Sequence, residues 1–129
     1  MLDKSQAIAI YKELETEVLG GEDWFKNIAS EISAILLYGS VAKGTNHAKS
    51  DIDILIILPL EIEQKYTKGE YFYEFNGYII NIVLRSIEKI RQIAKDQSDK
   101  FQKEVFSDSI IIHSKDETLS LLLDQIKLI

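Results

Sequence analysis

Asp51 and Asp53 stand on either side of Ile52, at the head of the apolar run Ile54-Leu55-Ile56-Ile57-Leu58. Successive side chains of a strand point to opposite faces, so the two carboxylates share one face, their Cα atoms about 6 to 7 Å apart. Side by side at the start of a buried strand they repel each other and are costly to desolvate. A divalent cation between them relieves both costs, and hard oxygen ligands suit Mg²⁺. The plainer alternative makes Asp51 a cap and Asp53 a polar residue on a half-exposed face. The apolar run behind Asp53 argues against half exposure, because a strand buried on both faces has no other use for a carboxylate.

A second group of residues precedes the pair. The run Ile35-Leu36-Leu37-Tyr38 ends abruptly at Gly39-Ser40, and Val41-Ala42-Lys43-Gly44 and a polar loop follow. A glycine lets backbone approach a phosphate, and amides at a helix start point at the anion. Ser40 adds a hydroxyl donor, and Lys43 is close enough in sequence to reach a triphosphate. Taken alone, Gly-Ser is also a common strand-to-helix turn and a loop lysine is usually solvated. A P-loop reading of Gly39 to Gly44-Thr45 fails, because its lysine belongs between the second glycine and the threonine. Lys43 lies on the wrong side of Gly44.

The ordered set of apolar strand, Gly39-Ser40, Gly44, loop and Ser50-Asp51-Ile52-Asp53 resembles the nucleotidyltransferase superfamily, the polymerase-β-like fold, in its minimal single-domain form. The resemblance implies Mg²⁺-dependent transfer of a nucleoside monophosphate from an NTP, with ATP the expected donor, to a hydroxyl acceptor. Asp51 and Asp53 would hold the metal, and Gly39, Ser40, Lys43 and Gly44 the nucleotide phosphates. It also implies a third carboxylate on a later strand, where Tyr78-Ile79-Ile80-Asn81-Ile82-Val83-Leu84 presents Asn81 instead. Asparagine offers a carbonyl oxygen but no charge, and it cannot act as a base. The catalytic set is therefore Asp51, Asp53 and Asn81, with turnover in question and nucleotide binding less so.

Small members of this family are often paired with a helical partner in toxin–antitoxin modules, where some transfer a nucleotide to that partner. The implied partners are thus an NTP and either a helical protein or another copy of the chain. The competing reading is a nucleotide- or partner-binding module that has lost catalysis. Asn81 favours it; the intact Asp51-Asp53 pair opposes it. A sugar-nucleotide glycosyltransferase would explain the paired aspartates but neither the short chain nor Gly39-Ser40.

These residues need a scaffold. Residues 3–19 read as an amphipathic helix with Ala7, Tyr11, Leu14 and Val18 inward, a cap at Asp3 or Ser5, and a stop at Gly20-Gly21. A short helix over 22–29 places Trp24 and Phe25 in the core. Strands follow at 32–38 and 51–58, the second ended by Pro59, and residues 60–69 read as a charged connection. Two runs rich in aromatic and β-branched residues, 70–75 and 78–84, flank Asn76-Gly77, the strongest short signal for a hairpin.

A two-residue turn there pairs Glu74 with Ile79 and Phe72 with Asn81. Glu70 and Glu74 then share a face with Asn81, and Glu74 becomes a candidate third metal ligand at a diagonal distance of roughly 5 to 7 Å. Tyr71, Phe72, Tyr73, Phe75 and Tyr78 read as hairpin packing rather than a base-stacking platform. Ser86 caps a helix to about residue 95, with Ile87, Ile90 and Ile93 or Ala94 inward. A helix over 97–106, a short strand at 110–113 and a last helix from about 116 complete the chain. Leu119, Leu122, Leu123 and Ile126 form the inner face of that helix. Arg85 and His47 are further candidates for touching the nucleotide, and His113 reads as structural. The expected fold is α/β: a small mixed sheet of four to five strands with helices on one side, one domain over 1–129.

A hydrophobic fraction of 46% beside 28% charged residues is that of a soluble globular chain. Without cysteine there is no disulfide scaffold and no thiolate chemistry, which suits a reducing, cytoplasmic setting. No signal peptide or membrane span is expected. The net charge of −6 and the lack of a basic block oppose duplex nucleic-acid binding.

Overall fold

The computed structural model describes residues 2–47, 50–95, 106–115 and 117–127. Helix α1 is Lys4–Glu17, and Asp3 caps it. The amide of Gln6 donates to Asp3 Oδ1 at 2.8 Å and the Asp3 amide donates back to Gln6 Oε1 at 2.9 Å, the reciprocal arrangement that satisfies two orphan donors. Ala7, Tyr11 and Leu14 form its buried face. A 3₁₀ turn, Leu19–Gly21, separates it from α2, Asp23–Ile28.

Five strands follow: β1 Ala34–Tyr38, β2 Ile52–Leu58, β3 Glu70–Phe75, β4 Tyr78–Ser86 and β5 Ile110–Ser114. They form one sheet in the order β3-β4-β2-β1-β5. Only β2 and β4 run parallel; the other neighbours are antiparallel. The α3 helix, Gly39–Lys43, follows β1 directly, and α4, Leu60–Tyr66, occupies the stretch that reads as a charged connection. Its short length and alternation of Glu, Gln and Lys hide its two inward residues, Ile62 and Tyr66, from a periodicity count. After β4 comes α5, Ile87–Lys95, and α6, Glu117–Lys127, closes the described chain. The Lys89 amide donates to Ser86 Oγ at 3.1 Å, so Ser86 caps α5. The helix expected over 97–106 lies almost wholly outside the described residues.

Helices cover both faces of the sheet, not one. Ile35, Leu37, Ile52, Ile54, Ile56, Ile80 and Ile82 pack with α1, α2 and α3 on one face. Ala34, Leu36, Leu55, Ile57 and Val83 pack with α5 and α6 on the other. The central strands β1 and β2 are apolar on both faces because both are covered, a point that their lack of alternation already carries.

At the turn between β3 and β4, Asn76 and Gly77 both adopt positive φ, at 53° and 80°. That is the two-residue turn whose twist matches a hairpin. The register follows as expected, with Glu74 opposite Ile79 and Phe72 opposite Asn81. Trp24 of α2 anchors this hairpin. Its ring stacks on Tyr71 at 4.0 Å between centroids, and Nε1–H donates to the Tyr73 hydroxyl at 2.8 Å.

Candidate active site

The site is a row of residues across one end of the sheet. Tyr38 at the end of β1 pairs with Asp53 on β2, and Asp53 pairs with Asn81 on β4. Asn81 pairs in turn with Phe72 on β3. Paired residues share a face, so all four point to the side carrying α5 and α6. Those helices bury Leu55, Ile57 and Val83 but leave the Asp53 end of the face more open, with Ile79 49% and Phe72 64% exposed. The carboxylates therefore stand on a shelf beside the helical layer.

Gly39, the first residue of α3, touches this row. Its φ of +75° is one that side-chain-bearing residues avoid, and a Cβ placed there would fall 2.2 Å from Asp53 Oδ2. The glycine is thus demanded by conformation and by the carboxylate beside it. Gly44 caps the other end of α3 in the left-handed region, φ 77°, and its amide donates back into the helix. Open space surrounds the place of its Cβ, so its requirement is conformational alone. Ser40 is half-buried and Lys43 exposed.

Electrostatics single out Asp53. Burial pushes its carboxyl up to about 6, the negative charge of Asp51 adds to the rise, and a hydrogen bond from the Asn81 side chain opposes it. Asn81 thus donates its amide N–H to Asp53, while its Oδ1 is buried without a hydrogen-bond partner. Tyr38 is pushed to about 12, first by burial and then by the Asp53 charge, so it stays a neutral phenol. The sequence reading missed Tyr38: the long loop between β1 and β2 leaves the register that puts it opposite Asp53 undetermined until the strands pair.

Other candidates fall farther away. Glu74 is exposed on the same face, diagonal to Asn81 through Ile79. Among the described residues no three acidic, histidine or cysteine side chains form a ready-made metal-binding group, with or without Glu74. Arg85 lies four residues beyond Asn81 on β4 and donates from Nη1 to the Leu84 carbonyl at 3.0 Å, though its charge still reaches Tyr38. His47 is exposed in the loop before Asp51.

The sequence family described as "Polymerase beta, Nucleotidyltransferase" matches residues 22–118, well over half of the chain. The chain belongs to that family. A nucleotidyltransferase-like protein from Exiguobacterium sibiricum 255-15 shares the fold at a TM-score of 0.62 and 12% identity, covering 93% of this chain. The chain spans only 38% of the length of that protein. A structure described as a toxin-antitoxin with AMP-PNP aligns at a TM-score of 0.43 and 18% identity, over 79% of each chain. No curated protein sequence matches significantly.

Nucleotidyltransferases of this family imply a divalent metal, and the row fits one. Asp51 and Asp53 supply anionic hard oxygens, and the orphaned Oδ1 of Asn81, the residue paired with Asp53, is a neutral one. A buried acceptor without a partner costs about 1–3 kcal/mol, which a cation would offset. The same cation would reverse the rise in the Asp53 carboxyl. No helix among the described residues is long and apolar enough to cross a membrane.

Proposed function

We propose that this nucleotidyltransferase domain transfers a nucleoside monophosphate from an NTP, with ATP the expected donor, to a hydroxyl acceptor. The observation that carries the reading is the contact between Gly39 and Asp53: the phosphate turn and the carboxylate strand meet without room for a Cβ. Asp51, Asp53 and the Asn81 carbonyl would hold Mg²⁺. When bound, it supplies positive charge that neutralises the phosphates and polarises the α-phosphorus.

The chain's own residues do the rest. Backbone amides at the start of α3, with the Ser40 hydroxyl, receive the β- and γ-phosphates. Lys43 adds an exposed cation at the end of α3. The acceptor oxygen bonds to the α-phosphorus as the bond to the bridging oxygen breaks and pyrophosphate leaves. Asn81 cannot take the acceptor proton, so it passes to water, which makes turnover slow. The acceptor binds on this core, on a partner protein or on a second copy of the chain. A cytoplasmic setting suits a chain with no cysteine and an NTP substrate.

Calorimetry of ATP with and without Mg²⁺, on the wild type and on Asp53→Asn, tests this. Mg²⁺-dependent binding lost in the variant is expected, and Asn81→Asp should then raise transfer. The competing reading, a nucleotide- or partner-binding module without catalysis, is favoured by Asn81 and by Leu121, which stands 69% exposed on α6. No nucleotide binding by the folded wild type would decide for a partner module. Nucleotide binding with no transfer by either the wild type or Asn81→Asp would decide for a nucleotide-binding one.

A further inference from the structure

Five aromatic residues crowd the β3–β4 hairpin, and they do not share one role. Tyr71, Tyr73, Phe75 and Tyr78 are partly buried against the core on the α1–α2 side. Phe72 points to the opposite face, 64% exposed, and no packing explains it. It is the outermost member of the row through Asn81 and Asp53. Two strand spacings place its Cα about 10 Å from that of Asp53. A ribose and its glycosidic bond span a distance of that order from an α-phosphate.

Beside Phe72, across the β3–β4 pair and one diagonal away, lies Ile79, 49% exposed. The two form an apolar ledge continuous with the carboxylate shelf. Glu70 and Glu74 flank Phe72 on the same face of β3, both exposed. Their charge repels phosphate, so the ledge is no seat for the triphosphate. Carboxylates accept hydrogen bonds, and exocyclic amino groups donate them.

We propose that Phe72 is the nucleobase platform of this site, with Ile79 as its apolar neighbour and Glu74 accepting from an exocyclic amino group. Adenine, which carries such a group, then binds better than uracil, which does not. The proposal rests on the nucleotidyltransferase reading, because it needs the α-phosphate at Asp53. Stacking on an aromatic side chain is tolerant of base identity; the carboxylate supplies the discrimination. Phe72 is a specificity-determining residue here.

The test is calorimetry in Mg²⁺ with ATP, UTP and inorganic tripolyphosphate, on the wild type, Phe72→Ala, Phe72→Trp and Glu74→Gln. Phe72 is exposed, so its variants are expected to fold, and circular dichroism checks that they do. Phe72→Ala should weaken ATP roughly tenfold and leave tripolyphosphate unchanged. Phe72→Trp should retain ATP affinity, and Glu74→Gln should narrow the gap between ATP and UTP. ATP binding unaltered in Phe72→Ala would overturn the platform and leave the ledge to the acceptor. So would a wild type that binds ATP no better than tripolyphosphate, although the phosphate seat would survive. A wild type that binds neither would overturn the nucleotidyltransferase reading itself.

Discussion

At Gly39 two requirements meet in one residue. Its positive φ excludes a side chain at a cost of about 1–3 kcal/mol, and Asp53 Oδ2 already occupies the place a Cβ would take. Gly39→Ala should therefore lower the melting temperature and weaken Mg²⁺ binding together, since Asp53 must turn away. A substitution that disturbed only the phosphates would leave metal affinity, measured by titration without nucleotide, untouched. Asp53 gives the opposite result on stability. Its folded carboxyl titrates near 6 against an ordinary 3.8, so between those values the folded chain holds more protons than the unfolded one. Stability of the metal-free protein then falls as pH rises through that window. Asp53→Asn should melt higher than wild type at pH 7 in chelator, and the gap should close as the pH falls towards 4. Mg²⁺ should raise the melting temperature of the wild type alone.

The hairpin shows which features of an element a sequence can carry. Asn76-Gly77 dictates a two-residue turn, and the turn dictates every pairing from Glu70 to Val83. Counting outward from that dipeptide puts Phe72 opposite Asn81, as the strands pair. The pairing of β1 with β2 had no such origin, because a long loop joins them, so the contact of Tyr38 with Asp53 was not legible. Nor was the exposure of Phe72, which depends on how far α5 and α6 extend over the sheet. The α4 helix escaped because seven residues give too few turns for a period to emerge. Trp24 holds the hairpin to the helical layer through Tyr71 and Tyr73. Trp24→Ala should cost about 3 kcal/mol in urea unfolding, and Trp24→Phe, which keeps the stack but loses the hydrogen bond, about half of that.

Across the whole molecule, two apolar cores share the strands β1 and β2 as a common wall. Neither core can loosen without uncovering a face of the same buried strands, so the domain should unfold in a single step. The lone tryptophan lies in one core, whereas far-ultraviolet circular dichroism reports helices of both. The two urea transitions should coincide; a fluorescence midpoint separated from that of dichroism would mean that the cores melt independently. Asn81 has a consequence for heredity as well as for chemistry. Asparagine and aspartate differ by an amide nitrogen in the protein and by a single base in the codon. On the proposed function, a lineage that keeps this shelf, its aspartates and its glycine would gain or silence transfer by a point mutation while the proposed nucleotide seat stayed intact.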